Sequence, residues 1–194
     1  MKGAFIVFEG IDGSGKTTLC RALASKIPNS VTTAEPTHDI IGSIIRNGTA
    51  GKISQRTESL LFLADRSAHT EQIADMVEAG KVVLCDRYFA STLAYQSAKL
   101  EGDSIDLDWL EEVSRPFAKI PNMTFLLDID PNVSINRVRV RGEEISKFED
   151  TSFLEQVRST YLSLASKYNF IILDASKDAD SLAEEALREI RRIL

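Results

Sequence analysis

Residues 4–19 read AFIVFEGIDGSGKTTL, and this stretch decides the fold. It begins as a continuous apolar run, breaks into glycines, and resumes with Lys16, Thr17 and Thr18. An apolar run without polar alternation is typical of a strand buried on both faces, as in a parallel sheet. Glycines directly after such a strand let the backbone wrap around an anion at the start of the next helix. The stretch therefore predicts a buried strand, a phosphate-binding loop and a helix.

The loop over residues 10–17, GIDGSGKT, matches the P-loop motif G-x-x-x-x-G-K-[ST]. In this motif backbone N–H groups cradle phosphates, the lysine reaches the β- and γ-phosphates, and the next hydroxyl binds Mg²⁺. We therefore expect ATP as phosphoryl donor, Mg²⁺ as cofactor, Lys16 as a catalytic residue and Thr17 as the metal residue. The candidate ATP-binding residues in this segment are Gly10, Asp12, Gly13, Ser14, Gly15, Lys16, Thr17 and Thr18.

Further apolar runs alternate with helical patterns along the rest of the chain, without a repeat or a linker. The predicted strands are 4–9, 31–35, 82–86, 123–128 and 170–174. The predicted helices are 16–27, one within 55–78, 91–99, 107–117, 133–140, 151–168 and 180–193, with Asp106 and Asp180 as N-caps. This alternation predicts one α/β domain over 1–194, a P-loop NTPase with a doubly wound, five-stranded parallel sheet flanked by helices. Ligands of such sheets bind beyond the carboxyl ends of the strands, where several acidic residues fall.

Composition narrows the function classes. The net charge of −6 argues against a nucleic-acid polymer or an anionic membrane as partner, because both favour a basic surface. Cys20, Cys85 and the two histidines lack the spacing of a zinc site. No apolar run approaches the roughly 18 residues of a membrane span, and the first one is too short for a signal peptide. We therefore expect a cytoplasmic protein with reduced, buried thiols.

The P-loop alone is compatible with GTPases, ATPases and small-molecule kinases. A GTPase would also carry N-K-x-D and a D-x-x-G after a strand, and the sequence has neither at the required places. The length of 194 residues suits a nucleoside-monophosphate kinase with a substrate-holding region and an arginine-bearing lid.

Three further segments resemble thymidylate kinases. Residues 86–96, DRYFASTLAYQ, resemble the family signature D-R-Y-x-x-S-x-x-A-Y-Q, and residues 60–66, LLFLADR, resemble L-L-F-x-A-x-R. Residues 121–128, PNMTFLLD, are similar to the family strand P-D-L-T-x-x-L-D, so that the resemblance extends from the P-loop to Glu149. It implies a homodimeric enzyme that converts Mg-ATP and dTMP into ADP and dTDP.

The resemblance also assigns the acceptor site. Phe62 and Arg66 are four residues apart and share one face of a helix. The family pattern implies that Phe62 stacks on the pyrimidine ring and that Arg66 donates to a thymine carbonyl. It further implies that Asp12 holds the 3′-hydroxyl, Arg87 acts at the transferring phosphoryl group, Ser91 and Thr92 face the base, and Tyr95 lies against the 2′ position.

The loop after the second strand departs from the family form R-E-P-G-G-T. Ala34 replaces the arginine, and Thr37 and His38 replace the glycines. Glu35 and Arg46 keep their relative spacing, so that Glu35 remains a substrate-binding candidate and Arg46 the clamp on the acceptor phosphate. We expect His38 to be an exposed loop residue.

Residues 137–149, RVRVRGEEISKFE, resemble the R-x-R-x-R-G lid of bacterial-type thymidylate kinases. In the other branch of the family an arginine of the P-loop supplies the cation, whereas this P-loop has Gly13 and Ser14 there. A cation is needed where charge develops on the transferring group. The resemblance therefore assigns catalysis to Arg139 and Arg141, and places Arg137 against adenine.

Two alternatives stay open at this point. One is another pyrimidine nucleoside-monophosphate kinase or a deoxynucleoside kinase, against which Phe62, Arg66 and Tyr95 count. The other is a nucleotide-binding switch without catalysis, against which the missing guanine motif counts.

Overall fold

A computed structural model describes residues 3–48, 53–98, 105–140 and 151–194. It contains a five-stranded sheet whose neighbouring strands all pair in parallel. The strands are β1 (Ala4–Glu9), β2 (Ser30–Ala34), β3 (Val82–Asp86), β4 (Met123–Asp128) and β5 (Ile171–Asp174), in the order β2-β3-β1-β4-β5. The predicted five-stranded parallel sheet is therefore confirmed, with strand bounds that differ by one residue at most.

The helices are α1 (Lys16–Ala24), α2 (Ile40–Arg46), α3 (Gln55–Glu78), α4 (Phe89–Ser97), α5 (Leu107–Ser114), α6 (Pro131–Val140), α7 (Thr151–Tyr168) and α8 (Ala179–Ile190). The predicted bounds of α3 and α7 are confirmed. The predicted helix 107–117 ends earlier, because Pro116 has no N–H to donate and the chain continues as a 3₁₀ turn, Arg115–Phe117. The short α2 was not predicted.

The two predicted N-caps have different outcomes. Asp106 accepts a hydrogen bond from the backbone N–H of Trp109 at 2.8 Å, so that this prediction is confirmed. The prediction of Asp180 is wrong. Asp178 caps α8 by accepting from the N–H of Ser181 at 2.9 Å, which places Asp180 inside the first turn of the helix.

The side chains of β1 belong to two separate cores. Ile6 and Phe8 pack in one core with Leu23 of α1, whereas Phe5 and Val7 pack in another with Ile73 of α3. All of these side chains are buried, and each contributes about 1.5–3 kcal/mol by leaving water. The sheet therefore carries helices on both faces, as the continuous apolar pattern of β1 predicts.

The carboxyl ends of β1, β3 and β4 meet at one edge of the sheet, because β1 lies between the other two strands. The P-loop follows β1, Asp86 ends β3 and Asp128 ends β4 at this edge. Within the described part of the chain, no helix is long and apolar enough to cross a lipid bilayer.

Candidate active site

The P-loop leads directly into α1. Gly15 precedes the helix with a φ of 96°, and no side chain of the described residues caps this helix end. Its first N–H groups and its dipole therefore remain available to an anion. Lys16 is buried, and its Nζ donates to the carbonyl oxygen of Ile11 at 2.9 Å. Burial, reinforced by nearby Arg87, lowers the pKa of Lys16 to about 8.

Gly13 lies against α6, the helix that carries Arg137 and Arg139. Gly13 has a φ of 78°, and a Cβ at this position would lie 2.6 Å from the carbonyl oxygen of Ser134. Ser134 also donates a hydrogen bond to the carbonyl oxygen of Asp12. The P-loop and α6 are therefore in direct contact, and position 13 has no room for a side chain.

Thr17 and Asp86 form an oxygen pair beside the P-loop. The hydroxyl of Thr17 donates to Asp86 Oδ2 at 2.5 Å, and Asp86 Oδ1 is buried without a hydrogen-bond partner among the described residues. Mg²⁺ prefers such oxygen ligands, and one carboxylate together with substrate phosphates is its usual set. The pair fits Mg²⁺. Asp86 was not predicted as a metal residue, although its place at the end of β3 was a signal.

A cavity of about 580 Å³ opens beside the P-loop and α6. It is lined by the predicted residues Gly13, Ser14, Gly15, Thr18 and Arg137, together with residues of α8. Arg137 donates to the carbonyl oxygen of Ala175 at 2.9 Å. Arg139 is exposed at the end of α6 and does not line this cavity, and Arg141 lies outside the described residues.

A second cavity, of about 300 Å³, lies between the P-loop, α3 and α4. Its lining includes the predicted residues Asp12, Glu35, Phe62, Arg66, Arg87, Ser91, Thr92 and Tyr95. Arg46 is not among the lining residues. It is exposed, and its guanidinium donates to the carbonyl oxygens of Pro36 and Thr37. The structure therefore brings together every predicted acceptor residue except Arg46.

Arg66 is held in a buried network. Its Nε and Nη2 donate to Glu35 Oε2 at 2.9 and 2.7 Å, and Nη2 also donates to the hydroxyl of Thr92 at 2.8 Å. His69 contacts the other oxygen of Glu35 at 3.0 Å. Nη1 of Arg66 is buried and has no hydrogen-bond partner among the described residues. Arg66 therefore lines this cavity and carries one guanidinium nitrogen for which the described residues supply no acceptor.

Arg87 lies between the P-loop and the second cavity. It is a non-glycine residue with a φ of 69°, and its Nη2 donates to Asp12 Oδ1 at 2.6 Å. Its guanidinium carbon lies 4.9 Å from the ring centre of Tyr95, whose hydroxyl donates to Asp12 Oδ2 at 3.0 Å. Burial would raise the pKa of Asp12, but Arg87 and Lys16 outweigh it and lower that pKa to about 2.

Glu9 and Tyr161 are two buried residues to which the sequence assigned no role in the site, although Glu9 is one of the acidic strand ends predicted at this edge of the sheet. Glu9 Oε1 accepts from the backbone N–H groups of Tyr88 and Ser91 at 3.0 and 3.3 Å. Glu9 Oε2 accepts from the hydroxyl of Ser91 at 2.5 Å. Burial raises the pKa of Glu9. Glu9 therefore caps α4 from a distant strand, which explains why this helix begins at Phe89 instead of the predicted residue 91.

The loop after β2 is fixed to α3. Thr37 donates its backbone N–H and its hydroxyl to the carboxylate of Asp65, at 2.7 and 2.6 Å. Asp65 directly precedes Arg66 on α3. The threonine that replaces a family glycine therefore has a partner of its own, and His38 beside it is exposed, as expected.

Comparisons with known proteins identify the relatives of this chain. The family model described as Thymidylate kinase matches residues 8–186. The chain is 43% identical over 190 residues to the probable thymidylate kinase of Sulfurisphaera tokodaii, covering 96% of this chain and 95% of that protein. It is 40% identical over 188 residues to the probable thymidylate kinase of Methanocaldococcus jannaschii, covering 96% and 93%.

A solved structure has the same fold. The crystal structure of thymidylate kinase from Ehrlichia chaffeensis matches with a TM-score of 0.77 at 27% identity, covering 98% of this chain and 99% of that one. The likeness of sequence and fold extends over nearly the whole chain. The chain belongs to the thymidylate kinase family.

Proposed function

We propose that this dTMP kinase binds ATP at the P-loop and dTMP in the cavity of about 300 Å³, and transfers the γ-phosphoryl group between them. The observation that carries the proposal is Nη1 of Arg66, a buried nitrogen without a protein partner among the described residues. A buried donor of this kind favours a ligand that supplies an acceptor.

The thymine ring supplies that acceptor. Its O4 carbonyl accepts from Nη1 of Arg66, and Phe62 stacks on the ring. Glu35 and Thr92 accept hydrogen bonds from Nη2 of the guanidinium. These bonds fix the orientation of the planar group and so the direction of its Nη1 N–H bonds. Cytosine carries an amino group in place of O4, so that two donors would meet. The site therefore selects thymine over cytosine.

The sugar and the phosphate of dTMP lie toward Asp12, Tyr95 and Arg87. Asp12 accepts from the 3′-hydroxyl, and the ring of Tyr95 leaves little room at the 2′ position. Arg87 contacts the transferring phosphoryl group. Arg46 would have to leave the carbonyl oxygens of Pro36 and Thr37 to reach the acceptor phosphate. Ser91 and Thr92 face the base. The hydroxyl of Ser91 is already bonded to Glu9, and that of Thr92 to Arg66.

The donor phosphates lie on the P-loop at the N-terminus of α1. Lys16 contacts the β- and γ-phosphates, and Arg137 lies against adenine. Thr17 and Asp86 would hold Mg²⁺, which neutralises phosphate charge when bound. Arg139 and Arg141 supply the further cations from the lid, because positions 13 and 14 hold no arginine.

No protein nucleophile is needed for the transfer. An oxygen of the acceptor phosphate forms a bond to the γ-phosphorus, and the bond from that phosphorus to the β–γ bridging oxygen breaks, so that ADP leaves. Positioning and fixed positive charge supply the catalysis. We further propose a single domain that works as a cytoplasmic homodimer, a state supported by the family resemblance.

An assay of ADP release with dTMP, dUMP, dCMP and ribothymidine 5′-monophosphate tests the proposal. We expect the highest kcat/KM for dTMP and a value at least about a hundredfold lower for dCMP, because the unpaired N–H would face an amino group. Equal values for dTMP and dCMP would contradict the assigned role of Arg66.

A further inference from the structure

A buried group of polar side chains lies behind Arg87, on the side away from Asp12. It consists of Glu9 at the end of β1, Ser91 in α4 and Tyr161 in α7. Glu9 has no exposed surface, and Tyr161 has almost none. None of the three is a neighbour of another in sequence, and the fold brings them together at one point.

The hydrogen bonds of this group converge on the guanidinium. Nη1 of Arg87 donates to the hydroxyl of Ser91 at 3.2 Å, to the carbonyl oxygen of Gly10 at 3.3 Å and to the hydroxyl of Tyr161 at 3.4 Å. Ser91 donates its only hydroxyl proton to Glu9 at 2.5 Å, which leaves its lone pairs for Arg87. Tyr161 lies 2.8 Å from Ser91 and 3.3 Å from Glu9, so that its proton also turns away from Arg87.

We propose that Glu9 and Tyr161 are positioning residues that hold Arg87 in place for phosphoryl transfer. The inference rests on the proposed role of Arg87 at the transferring group. Glu9 orients the hydroxyl of Ser91, and Tyr161 supplies a further side-chain acceptor, so that both fix the Nη1 side of the guanidinium together with the carbonyl oxygen of Gly10. Asp12 fixes the Nη2 side.

The backbone conformation of Arg87 explains why this residue needs such support. Arg87 has a φ of 69°, a conformation that side-chain-bearing residues rarely adopt. Glu9 bonds the N–H groups of Tyr88 and Ser91, and so holds the backbone on the C-terminal side of Arg87 as well as its side-chain partner. α7 begins at Thr151, directly after the predicted lid. The hydrogen bond from Arg87 to Tyr161 therefore connects this arginine to the helix that follows the lid.

The test compares Tyr161→Phe with a matched change on the same helix. Tyr168 also donates to a buried carboxylate, that of Glu111, and neither of these two residues lines the donor or the acceptor cavity. We expect Tyr161→Phe to lower kcat about tenfold with little change in KM for ATP, because a small displacement of a catalytic group is costly. Tyr168→Phe should leave kcat unchanged. Glu9→Gln and Glu111→Gln form a second pair with the same expectation.

Combination with Arg87→Ala separates positioning from other roles. If Tyr161 acts through Arg87, Tyr161→Phe should have no further effect on the single-turnover rate of Arg87→Ala. A further loss in that background, an unchanged kcat in both Tyr161→Phe and Glu9→Gln, or an equal loss in Tyr168→Phe would overturn the inference. Normal activity of Arg87→Ala would instead overturn the proposed role of Arg87 itself.

Discussion

Arg66 contributes to the stability of the fold and, in the proposed function, to recognition of the base. Its ion pair with Glu35 lies in the core, and only Nη1 is left without a partner among the described residues. Removing the arginine would leave Oε2 of the buried Glu35 carboxylate without its two donors, with His69 only on the other oxygen, at a cost of about 3–5 kcal/mol. A change of substrate is therefore a cleaner test of this residue than a change of the residue itself.

Lys16→Ala tests the donor side. In the proposed arrangement the variant removes the cation at the transferring group, and such a loss costs about 3 kcal/mol of transition-state stabilisation, or roughly a hundredfold in kcat. Steady-state kinetics measure the loss, and circular dichroism checks that the fold remains. A variant with more than a tenth of the wild-type kcat would contradict the assignment.

Tyr95→Ala tests the choice of sugar. We propose that Tyr95 lies against the 2′ position, so that the smaller side chain should open space there and lower the ratio of kcat/KM for dTMP over ribothymidine 5′-monophosphate. The absolute kcat should also fall, because Tyr95 packs under Arg87 and bonds Asp12. An unchanged ratio would place sugar discrimination elsewhere.

The close contact between the P-loop and α6 should affect both thermal stability and ATP binding. Gly13→Ala would place a Cβ against Ser134 in addition to the strain of a positive φ. Gly48→Ala is the matched control, since Gly48 has a φ of 88° and no atom of the described chain within 4 Å of the added Cβ. We expect Gly13→Ala to lower the thermal midpoint further than Gly48→Ala and to raise KM for ATP. Equal midpoints would contradict the close contact.

The features of the fold that the sequence predicts correctly are those that a local sequence pattern determines. The apolar run of β1, the glycines of the P-loop and the long pattern of α3 are local, and the structure has all three. The cap of α4 could not be predicted, because its carboxylate comes from Glu9, on a strand far away in sequence. The same holds for Tyr161, whose hydroxyl reaches the site only through the packing of α7.

The stability of the whole molecule should depend on pH through Glu9. Its pKa in the folded state is raised above 4.5 by burial, so that folding favours the protonated form. This contribution to the free energy of unfolding is fully present below the ordinary pKa of 4.5 and is lost as pH rises through the folded pKa. Glu9→Gln removes the titration, and its stability relative to wild type should therefore rise as pH increases above that value.

Glu111→Gln is the control for that measurement. Burial would raise the pKa of Glu111, but the bonds from Lys167 and Tyr168 outweigh it and lower that pKa below 4.5. Its contribution is present above pH 4.5 and is lost as pH falls, which is the opposite sign. Denaturant unfolding from about pH 3, where the Glu111 contribution is being lost, to about pH 8 compares the two variants. The same pH trend in both would contradict the role of burial at Glu9.

A crystal structure of the enzyme with dTMP tests the central claim most directly, through the distance between Nη1 of Arg66 and O4 of thymine. We expect a direct hydrogen bond of about 2.7–3.2 Å, with the base stacked on Phe62 in the cavity of about 300 Å³. A base bound elsewhere, or one whose O4 lies beyond hydrogen-bond distance of Nη1, would contradict it.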